Sequence, residues 1–455
     1  MHAEATPVLH AETRKGALER ALSVAADVRA GEGAGALLLL ANLFVALFAY
    51  YLLKTLREPL VLATGGATLK SYAAAAQAVF LVLAVPAYGF LATRIPPRRL
   101  VFLSTLASAV AVEVFAVLAH LRVPYLGFAF YVFVGVFGVF AVAQFWSFAN
   151  DLHDESTGRR LFPLVGIGAT VGSAAGSLLA GRLFDRGMPV AAIFHLSAGF
   201  VAVHAVLYLW LSRGASDGAA GRPHDVPLVS TDGFALVAKN PYLRILAVAL
   251  VVSTLVNSNG EFLLSHAVVE RAAAAFEAAR TSSAELVRED FVRGFIGSFY
   301  GDFFLGVNVA AVLLQVLVAS RVVRYGGLRA VLLAAPFVSL LTYGAAASAL
   351  GFAVFRILKS AENACDYSLA NTAKALVWLP TRREEKYKAK QAIDTFFVRC
   401  GDVVSALLVF VGVEVLELPT RAFAIANVGL ALVVLGLGGL LLAHHRRLVP
   451  SDVAG

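Results

Sequence analysis

Repeated apolar runs of about 20 residues constrain the fold of this chain more than any other sequence feature. A helix needs about 20 apolar residues to cross a hydrocarbon core about 30 Å thick. Windows of that length predict about twelve spanning helices. They lie near 36–56, 72–92, 99–120, 125–150, 163–184, 189–212, 242–266, 295–320, 328–349, 351–378, 391–415 and 421–443. The sequence therefore predicts an all-α integral membrane protein.

The charge content agrees with a chain whose main solvent is lipid. Only 15% of the residues are charged and 59% are hydrophobic, whereas a soluble domain has about 25% charged residues. The net charge of +8 comes from basic residues clustered between apolar runs, which is typical of an orientation signal and not of a nucleic-acid surface. Cys365 and Cys400 form no metal or redox motif. We expect two packing cysteines, no metal site and no cofactor.

The short basic segments predict how the chain lies in the membrane. An even number of helices places both termini on one side, and the basic clusters follow even-numbered helices on that same side. The positive-inside rule then predicts a multi-pass protein of the cell (inner) membrane with cytoplasmic termini. Residues 1–33 lack the apolar core and cleavage site of a signal peptide and are expected to be a cytoplasmic lead-in.

A polar stretch divides the apolar runs into two sets of six. We expect an N-terminal bundle at 34–212, a cytoplasmic linker at 213–240, a C-terminal bundle at 241–444 and a cytoplasmic tail at 445–455. The alanine-rich charged stretch 266–294 is interpreted as an outward-side structural insertion, either an extra helix or a hairpin.

Two further patterns favour two related bundles. "YGFLATRIPPRRLVFLS" after helix two and "LVASRVVRYGGLRAVLL" after helix eight resemble a degenerate form of the loop motif of the major facilitator superfamily. That architecture implies a substrate site near the midplane between the halves. In helix five, Gly168, Gly172 and Gly176 predict a groove for close helix packing, with sliding of helices as the alternative. No phosphate-binding loop is present, so transport is expected to be driven by gradients or exchange.

Helix ten carries more charged and polar residues than a lipid-facing helix tolerates. An ionisable residue at a helix centre costs about 2.5–3.5 kcal/mol on insertion scales. At about 100° per residue these side chains share one face over about five turns, so the face is expected to line a cavity. The alternative is a ladder of internal pairs, such as Lys359 with Glu362 or Asn363. The residues are Arg356, Lys359, Glu362, Asn363, Asp366, Asn371 and Lys374.

Helices one and seven also contain charged groups. Lys54, Arg57 and Glu58 lie within one turn of helix one, either as part of a site or as side chains that snorkel to the interface. In helix seven, Asn257 and Glu261 flank a glycine, and the acid is expected to pair with a cation of helix one or ten or to carry a coupling charge.

Helices eight and eleven contain further charged residues: Asp302 in helix eight, and Asp394, Arg399 and Asp402 in helix eleven. Of these, Asp302 and Arg399 join a second tier of candidates that also contains Glu58, Asn150 and Asn257. Asp394 is expected to cap the start of helix eleven, and Arg399 and Asp402, three residues apart, are expected to pair.

The cations inside the predicted membrane spans indicate an anionic substrate. Phosphate esters fit this set well, because arginine forms bidentate hydrogen bonds to phosphate and lysine supplies a point charge. The cations are Lys54, Arg57, Arg356, Lys359, Lys374 and Arg399.

Four stretches resemble the nucleotide transporter family, which contains the ATP:ADP translocases and NTP/NDP exchangers of plastids and intracellular bacteria. They are "YYLLKTLREPLVL", "FWSFANDLHDESTGRRLFPLVGIGATVGS" (which includes Asn150), "GDF" and "ENACDYSLANTAKALVWLPTRREEKYKAKQAIDTF". The resemblance implies exchange of nucleotides through a twelve-helix, facilitator-like fold. It also implies functional roles for Arg57, for Glu261, and for either Lys374 or Lys390.

Two departures from the family pattern keep the substrate open. Val134 stands near the place of a helix-four glutamate, and Asp402 replaces a late lysine of helix eleven. The favoured hypothesis is an ATP:ADP-type antiporter, a monomer with no enzymatic activity. The alternatives are a facilitator-type carrier of another organic or phosphorylated anion, with proton coupling through Glu261 or Asp302, and a membrane protein that does not transport.

Overall fold

The computed structural model describes residues 15–24, 26–213, 231–281 and 287–448, and these are almost entirely helical. Most of the predicted linker 213–240 and the end of the predicted tail lie outside the described residues. A short helix, Ala17–Leu22, precedes the first span, and another, Thr231–Lys239, precedes the seventh.

The six helices of the N-terminal half follow the apolar runs closely. One continuous helical stretch, Gly33–Ala92, is broken by Gly66 with φ 65°, a conformation that favours glycine. It therefore contains helix one (33–65) and helix two (67–92). Helices three to six are Pro97–His120, Leu126–Leu152, Glu155–Asp185 and Val190–Arg213.

The C-terminal half repeats this arrangement. Helix seven is Pro241–Arg280, and the stretch Arg288–Ala347 is broken by Gly327 with φ 57° into helix eight (288–326) and helix nine (328–347). Helix ten runs from Phe352 through a π-helical turn, Asp366–Ala370, to Val377. Helix eleven begins at Glu385 and ends at Val415, and helix twelve is Thr420–Leu448.

The described residues therefore provide twelve helices that can span a membrane. Nine described helical stretches are long and apolar enough to do so, and two of them contain two spans each. Helix ten is the twelfth span, although it contains the charged residues Arg356, Lys359, Glu362, Asp366 and Lys374. The prediction of an all-α membrane protein with two six-helix bundles is confirmed.

The helix bounds decide three local interpretations of the sequence. The charged turn of helix one lies inside the protein, because the helix continues past Pro59 and every residue of 51–62 is buried. Asp394 cannot cap helix eleven, because the helix begins at Glu385, so that prediction was wrong. Of the two alternatives for 266–294 the hairpin fits, since its described residues largely continue helices seven and eight, with the rings of Phe276 and Phe291 5.8 Å apart.

The glycines of helix five make close backbone contacts with helix one. A Cβ atom added at Gly168, Gly172 or Gly176 would lie 2.3–2.5 Å from a carbonyl oxygen of helix one. Both helices belong to the N-terminal half, so this groove packs one bundle together and does not form a sliding surface between the halves. The close contact between the halves lies further along helix five, where a Cβ at Gly301 would be 2.4 Å from Gly181 Cα.

Candidate substrate site between the halves

A polar cavity of about 310 Å³ lies between the two halves and is called the central cavity below. Helices one, two and four line it from the N-terminal half, and helices seven and eleven line it from the C-terminal half. Its charged lining residues are Lys54, Arg57, Lys70, Glu261, Arg399 and Asp402. Since charged groups from both halves meet here, the cavity lies where the facilitator-like architecture implies a substrate site.

The charged turn of helix one faces this cavity. Lys54 and Arg57 are each 8% exposed and Glu58 is 1% exposed. Lys54 Nζ donates to Tyr367 Oη at 3.2 Å, which joins helix one to helix ten. The guanidinium carbon of Arg57 lies 4.1 Å from the centre of the Tyr131 ring, a cation–π contact. These contacts exclude the alternative that the turn snorkels to the interface.

Lys70 of helix two connects the two halves, and it was not among the site residues predicted from the sequence. Its Nζ lies 2.9 Å from a Glu58 carboxylate oxygen and 3.4 Å from a Glu261 oxygen. It also donates to Ser265 Oγ at 2.9 Å and to Tyr300 Oη at 3.3 Å. The predicted start of helix two at 72 left Lys70 in a loop. The Gly65–Gly66 pair was the available signal, because a break there places Lys70 in the first turn of helix two.

Glu261 also pairs with a cation of helix ten, as expected. Lys359 is fully buried, and its Nζ lies 3.6 Å from Glu261 and 2.9 Å from Glu362. Asn363 Nδ2 donates to Glu261 Oε1 at 3.1 Å, and Asn257 Oδ1 accepts from Lys359 at 3.1 Å. The predicted pairing of Lys359 with Glu362 is therefore present within the polar face of helix ten.

The carboxylate of Glu362 is enclosed by hydroxyl groups as well. Ser339 Oγ and Tyr343 Oη of helix nine donate to it at 2.6 and 2.7 Å. Buried charges require such partners, because an unpaired charge in a low-dielectric interior is costly. We call the linked charged groups the central ion cluster: Lys54, Arg57, Glu58, Lys70, Glu261, Lys359 and Glu362.

A second, larger cavity of about 500 Å³ lies inside the C-terminal half, among helices seven, nine, ten, eleven and twelve. We call it the C-terminal cavity. The predicted site residues Asp366 and Lys374 line it, and it shares Ser258, Arg399 and Asp402 with the central cavity. Arg399 and Asp402 pair at 3.5 Å, as expected, and Ser258 Oγ donates to Asp402 at 2.6 Å.

Six predicted candidates line neither cavity. Glu58, Lys359 and Asn363 instead contact charged groups of the central ion cluster, whereas the other three do not. Arg356, at the start of helix ten, packs with its guanidinium carbon 4.9 Å from the centre of the Phe299 ring. Asp302 and Asn150 are exposed on the surface of the chain. The polar face of helix ten is therefore divided among an aromatic contact near its start, the central ion cluster in its middle and the C-terminal cavity towards its end.

Val134 is fully buried in the apolar core of the N-terminal bundle. It does not line the central cavity, although its neighbour Gly135 does. The apolar residue at this position therefore packs in the bundle and contributes no charge to the central cavity.

Solved structures share this fold. The nucleoside transporter NupG superposes with a TM-score of 0.62 at 13% identity, over 90% of this chain and 99% of that chain. A bacterial homologue of the iron transporter ferroportin, in an inward-facing state, gives a TM-score of 0.61 at 14% identity, over 90% and 98%. An auto-inhibited peptide transporter of the POT family gives 0.61 at 12% identity, over 93% and 98%. These likenesses show that the chain has the two-bundle helical fold of major-facilitator-type membrane proteins.

The chain is also similar in sequence to a named carrier. ADP,ATP carrier protein 1 of Chlamydia pneumoniae is 24% identical in an alignment of 322 residues that covers 62% of this chain. The match covers 59% of the length of that carrier. No family model matches the chain. The likeness to this carrier confirms the resemblance to the nucleotide transporter family that the four sequence stretches indicated.

Proposed function

We propose that this protein exchanges nucleotides across the membrane, in the manner of an ATP:ADP antiporter, by alternating access. The observation that carries the proposal is the central cavity, in which Lys54, Arg57 and Lys70 face one space between the halves. Buried cations of this number suit a polyanion, since arginine and lysine bind phosphate oxygens through charge-assisted hydrogen bonds. The named function of the Chlamydia pneumoniae carrier supports the same substrate class.

The carboxylates of the central ion cluster give a physical reason for exchange. Without a substrate, Glu58 and Glu261 neutralise Lys70, and Glu58 also contacts Arg57 Nε at 3.1 Å. A phosphate group that enters must compete with these carboxylates for the cations. The contacts between the halves therefore differ between the empty and the loaded carrier, and such a difference is what couples binding to a conformational change.

Contacts between the halves close the end of the molecule remote from the termini. Lys70 meets helices seven and eight there, Gly181 meets Gly301, and Ser298 donates a hydrogen bond to Asp185. We propose that the termini are cytoplasmic and that this closed end faces outwards. A reporter enzyme that is active only in the cytoplasm, fused after residue 455, should be active; its inactivity would reverse this orientation.

The exchange is tested with purified protein in liposomes that contain unlabelled ADP. We expect rapid uptake of labelled ATP, and little uptake into liposomes without internal nucleotide. Arg57→Ala and Glu261→Gln should each abolish uptake, because they remove a cation of the cavity and the carboxylate between Lys70 and Lys359. Arg280→Ala is the matched control, since Arg280 is an exposed partner of Glu277 in the extension of helix seven.

Absence of uptake across a panel of labelled nucleotides, from protein that is monodisperse and correctly inserted, would contradict the proposal. Loss of activity in the Arg280→Ala control to the same extent as in Arg57→Ala would show that the assay reports general stability and not the cavity.

The second candidate is a carrier of another organic or phosphorylated anion that is coupled to protons. The observation in its favour is that three carboxylates, the buried Glu58 and Glu362 and the half-buried Glu261, contact cations of the same cluster. Uptake that needs no internal counter-substrate and that follows an imposed pH gradient would support this candidate over exchange.

We further propose that the protein acts as a monomer and catalyses no chemical reaction. Cross-linking in membranes tests whether it is a monomer, and recovery of unchanged substrate tests whether it catalyses a reaction.

A further inference from the structure

The C-terminal cavity takes no part in the central ion cluster except through the carboxylate of Glu362. Its volume of about 500 Å³ falls within the range of small-molecule binding sites. It adjoins the central cavity, because Ser258, Arg399 and Asp402 line both spaces. One bound molecule can therefore occupy both cavities.

The two cavities differ in charge. Besides the shared Arg399–Asp402 pair, three cations and one carboxylate line the central cavity, and Glu58 pairs with two of these cations, which leaves an excess of one positive charge. One cation, Lys374, and two carboxylates, Glu362 and Asp366, line the C-terminal cavity. Glu362 is neutralised by Lys359, so no positive excess remains in the C-terminal cavity. The polyanionic end of a substrate is therefore stabilised in the central cavity and a less charged part in the C-terminal cavity.

The walls of the C-terminal cavity suit a flat ring system. Apolar side chains of helices seven, nine and twelve form much of its lining, and Tyr367 of helix ten contributes an aromatic ring. Planar rings with a polar edge gain from burying their faces against apolar and aromatic groups. The apolar residues include Leu246, Leu250, Leu332, Pro336 and Leu441.

Asp366 supplies a carboxylate of this cavity that no described side chain contacts through a hydrogen bond or an ion pair. It begins the π-helical turn Asp366–Ala370, and such turns are frequent at functional sites. Glu362, one turn earlier, is by contrast enclosed by Ser339, Tyr343 and Lys359. An ionised carboxylate only accepts hydrogen bonds, so its partner must be a donor.

We propose, on the basis of the nucleotide exchange proposed above, that the C-terminal cavity holds the base and that Asp366 determines base specificity. The phosphates lie at Lys54, Arg57 and Lys70, and the Asp366 carboxylate accepts a hydrogen bond from an amino group at the edge of the base. The protein discriminates against bases in which that amino group is missing.

The first test uses the unaltered protein in nucleotide-loaded liposomes. Uptake of a labelled nucleotide is measured against three pairs of competitors that differ by one amino group: ATP and purine riboside triphosphate, GTP and inosine triphosphate, and CTP and its 4-deamino analogue. In at least one pair the compound with the amino group should compete about tenfold better. Without that amino group, the Asp366 carboxylate has no hydrogen-bond donor. Equal competition within all three pairs would overturn the inference.

The second test compares variants at two carboxylates. Asp366→Ala removes the acceptor, so the tenfold ratio should fall to near one, whereas Asp366→Asn retains one acceptor oxygen and should retain part of the ratio. Asp394→Ala is the matched control, because Asp394 lies in helix eleven and lines neither cavity. An unchanged ratio in Asp366→Ala, or an equal fall in Asp394→Ala, would overturn the inference.

Inorganic triphosphate, which has no base, separates base recognition from folding and from the proposed function. Its inhibition of uptake should be the same in the unaltered protein and in Asp366→Ala. A variant that loses sensitivity to inorganic triphosphate and to nucleotides alike would contradict a role confined to the base. Failure of every nucleotide to enter would reject nucleotide exchange itself, whereas exchange without discrimination would reject the role of Asp366 alone.

Discussion

At the scale of single residues, Lys70 is the side chain that holds carboxylates of both halves together. Its ammonium group lies between Glu58 of helix one and Glu261 of helix seven, and hydroxyl groups of Ser265 and Tyr300 complete its surroundings. Removal of one partner from a buried ion pair is usually far more damaging than removal of both, because a single unpaired charge remains in the interior.

Lys70→Met should therefore destabilise the protein by about 3–5 kcal/mol and abolish exchange. The double variant Lys70→Met with Glu58→Gln should recover part of the lost stability, because the carboxylate that Lys70 neutralised is then also removed. Thermal unfolding in detergent measures both effects. If Lys70→Met is as stable as the unaltered protein, the Lys70–Glu58 ion pair is not needed. The same conclusion follows if the double variant loses as much stability as Lys70→Met and Glu58→Gln lose together when each is made alone.

The sequence predicted the chemistry of the site better than its geometry. Charged residues in apolar runs revealed Arg57, Glu261 and Lys359, because an ionisable group in the membrane needs a partner or a cavity wherever it lies. Lys70 was missed since its membership of a helix depends on a turn at Gly66 that hydropathy does not define. Arg356 was included because helical periodicity shows a shared face but not which neighbour each turn of that face meets.

At the scale of helices, glycines set how closely helices one and five approach. A Cβ atom at Gly172 would lie 2.4 Å from the carbonyl oxygen of Phe44, whereas one at Gly166 would meet nothing within 4 Å. The two residues lie on the same helix and differ in whether helix one contacts them, so they form a matched pair.

Gly172→Ala should destabilise the N-terminal bundle by about 1–3 kcal/mol, because helix five must move away from helix one to make room for the methyl group. Gly166→Ala should be neutral or slightly stabilising, since alanine favours a helix more than glycine does. Melting temperatures of the two purified variants provide the comparison. Equal melting temperatures would mean that the backbone contact at Gly172 relaxes without loss.

The ends and interruptions of helices were the least predictable features at this scale. The twelve apolar runs predicted the spans correctly, because every span must be long enough to cross the same hydrocarbon core. The extension of helix seven to Arg280 and the start of helix eleven at Glu385 lie in polar sequence. Length and hydropathy carry no information there, and tertiary packing determines where each helix ends.

At the scale of the whole molecule, the contact between helices five and eight holds the two halves together at the end remote from the termini. Ser298 of helix eight donates a hydrogen bond to Asp185 of helix five there. Alternating access requires that this contact separates in each transport cycle, whereas the packing within each bundle remains.

A disulfide across this contact should therefore stop transport. Asp185→Cys and Ser298→Cys, in a chain with Cys365→Ala and Cys400→Ala, should form a cross-link on oxidation that blocks exchange, and reduction should restore it. Each single cysteine variant, treated in the same way, is the control. Exchange that proceeds at an unchanged rate in the cross-linked protein would show that these helices need not separate.

The charges of helix ten also bear on how the protein is made. The partners of its buried charges belong to helix seven, through Glu261, and to helix nine, through Ser339 and Tyr343. A helix that enters the bilayer singly would expose Lys359 and Glu362 to lipid, which is costly for unpaired charges. We therefore expect helix ten to insert only when helices seven and nine are already beside it, so that the central ion cluster constrains the order of assembly.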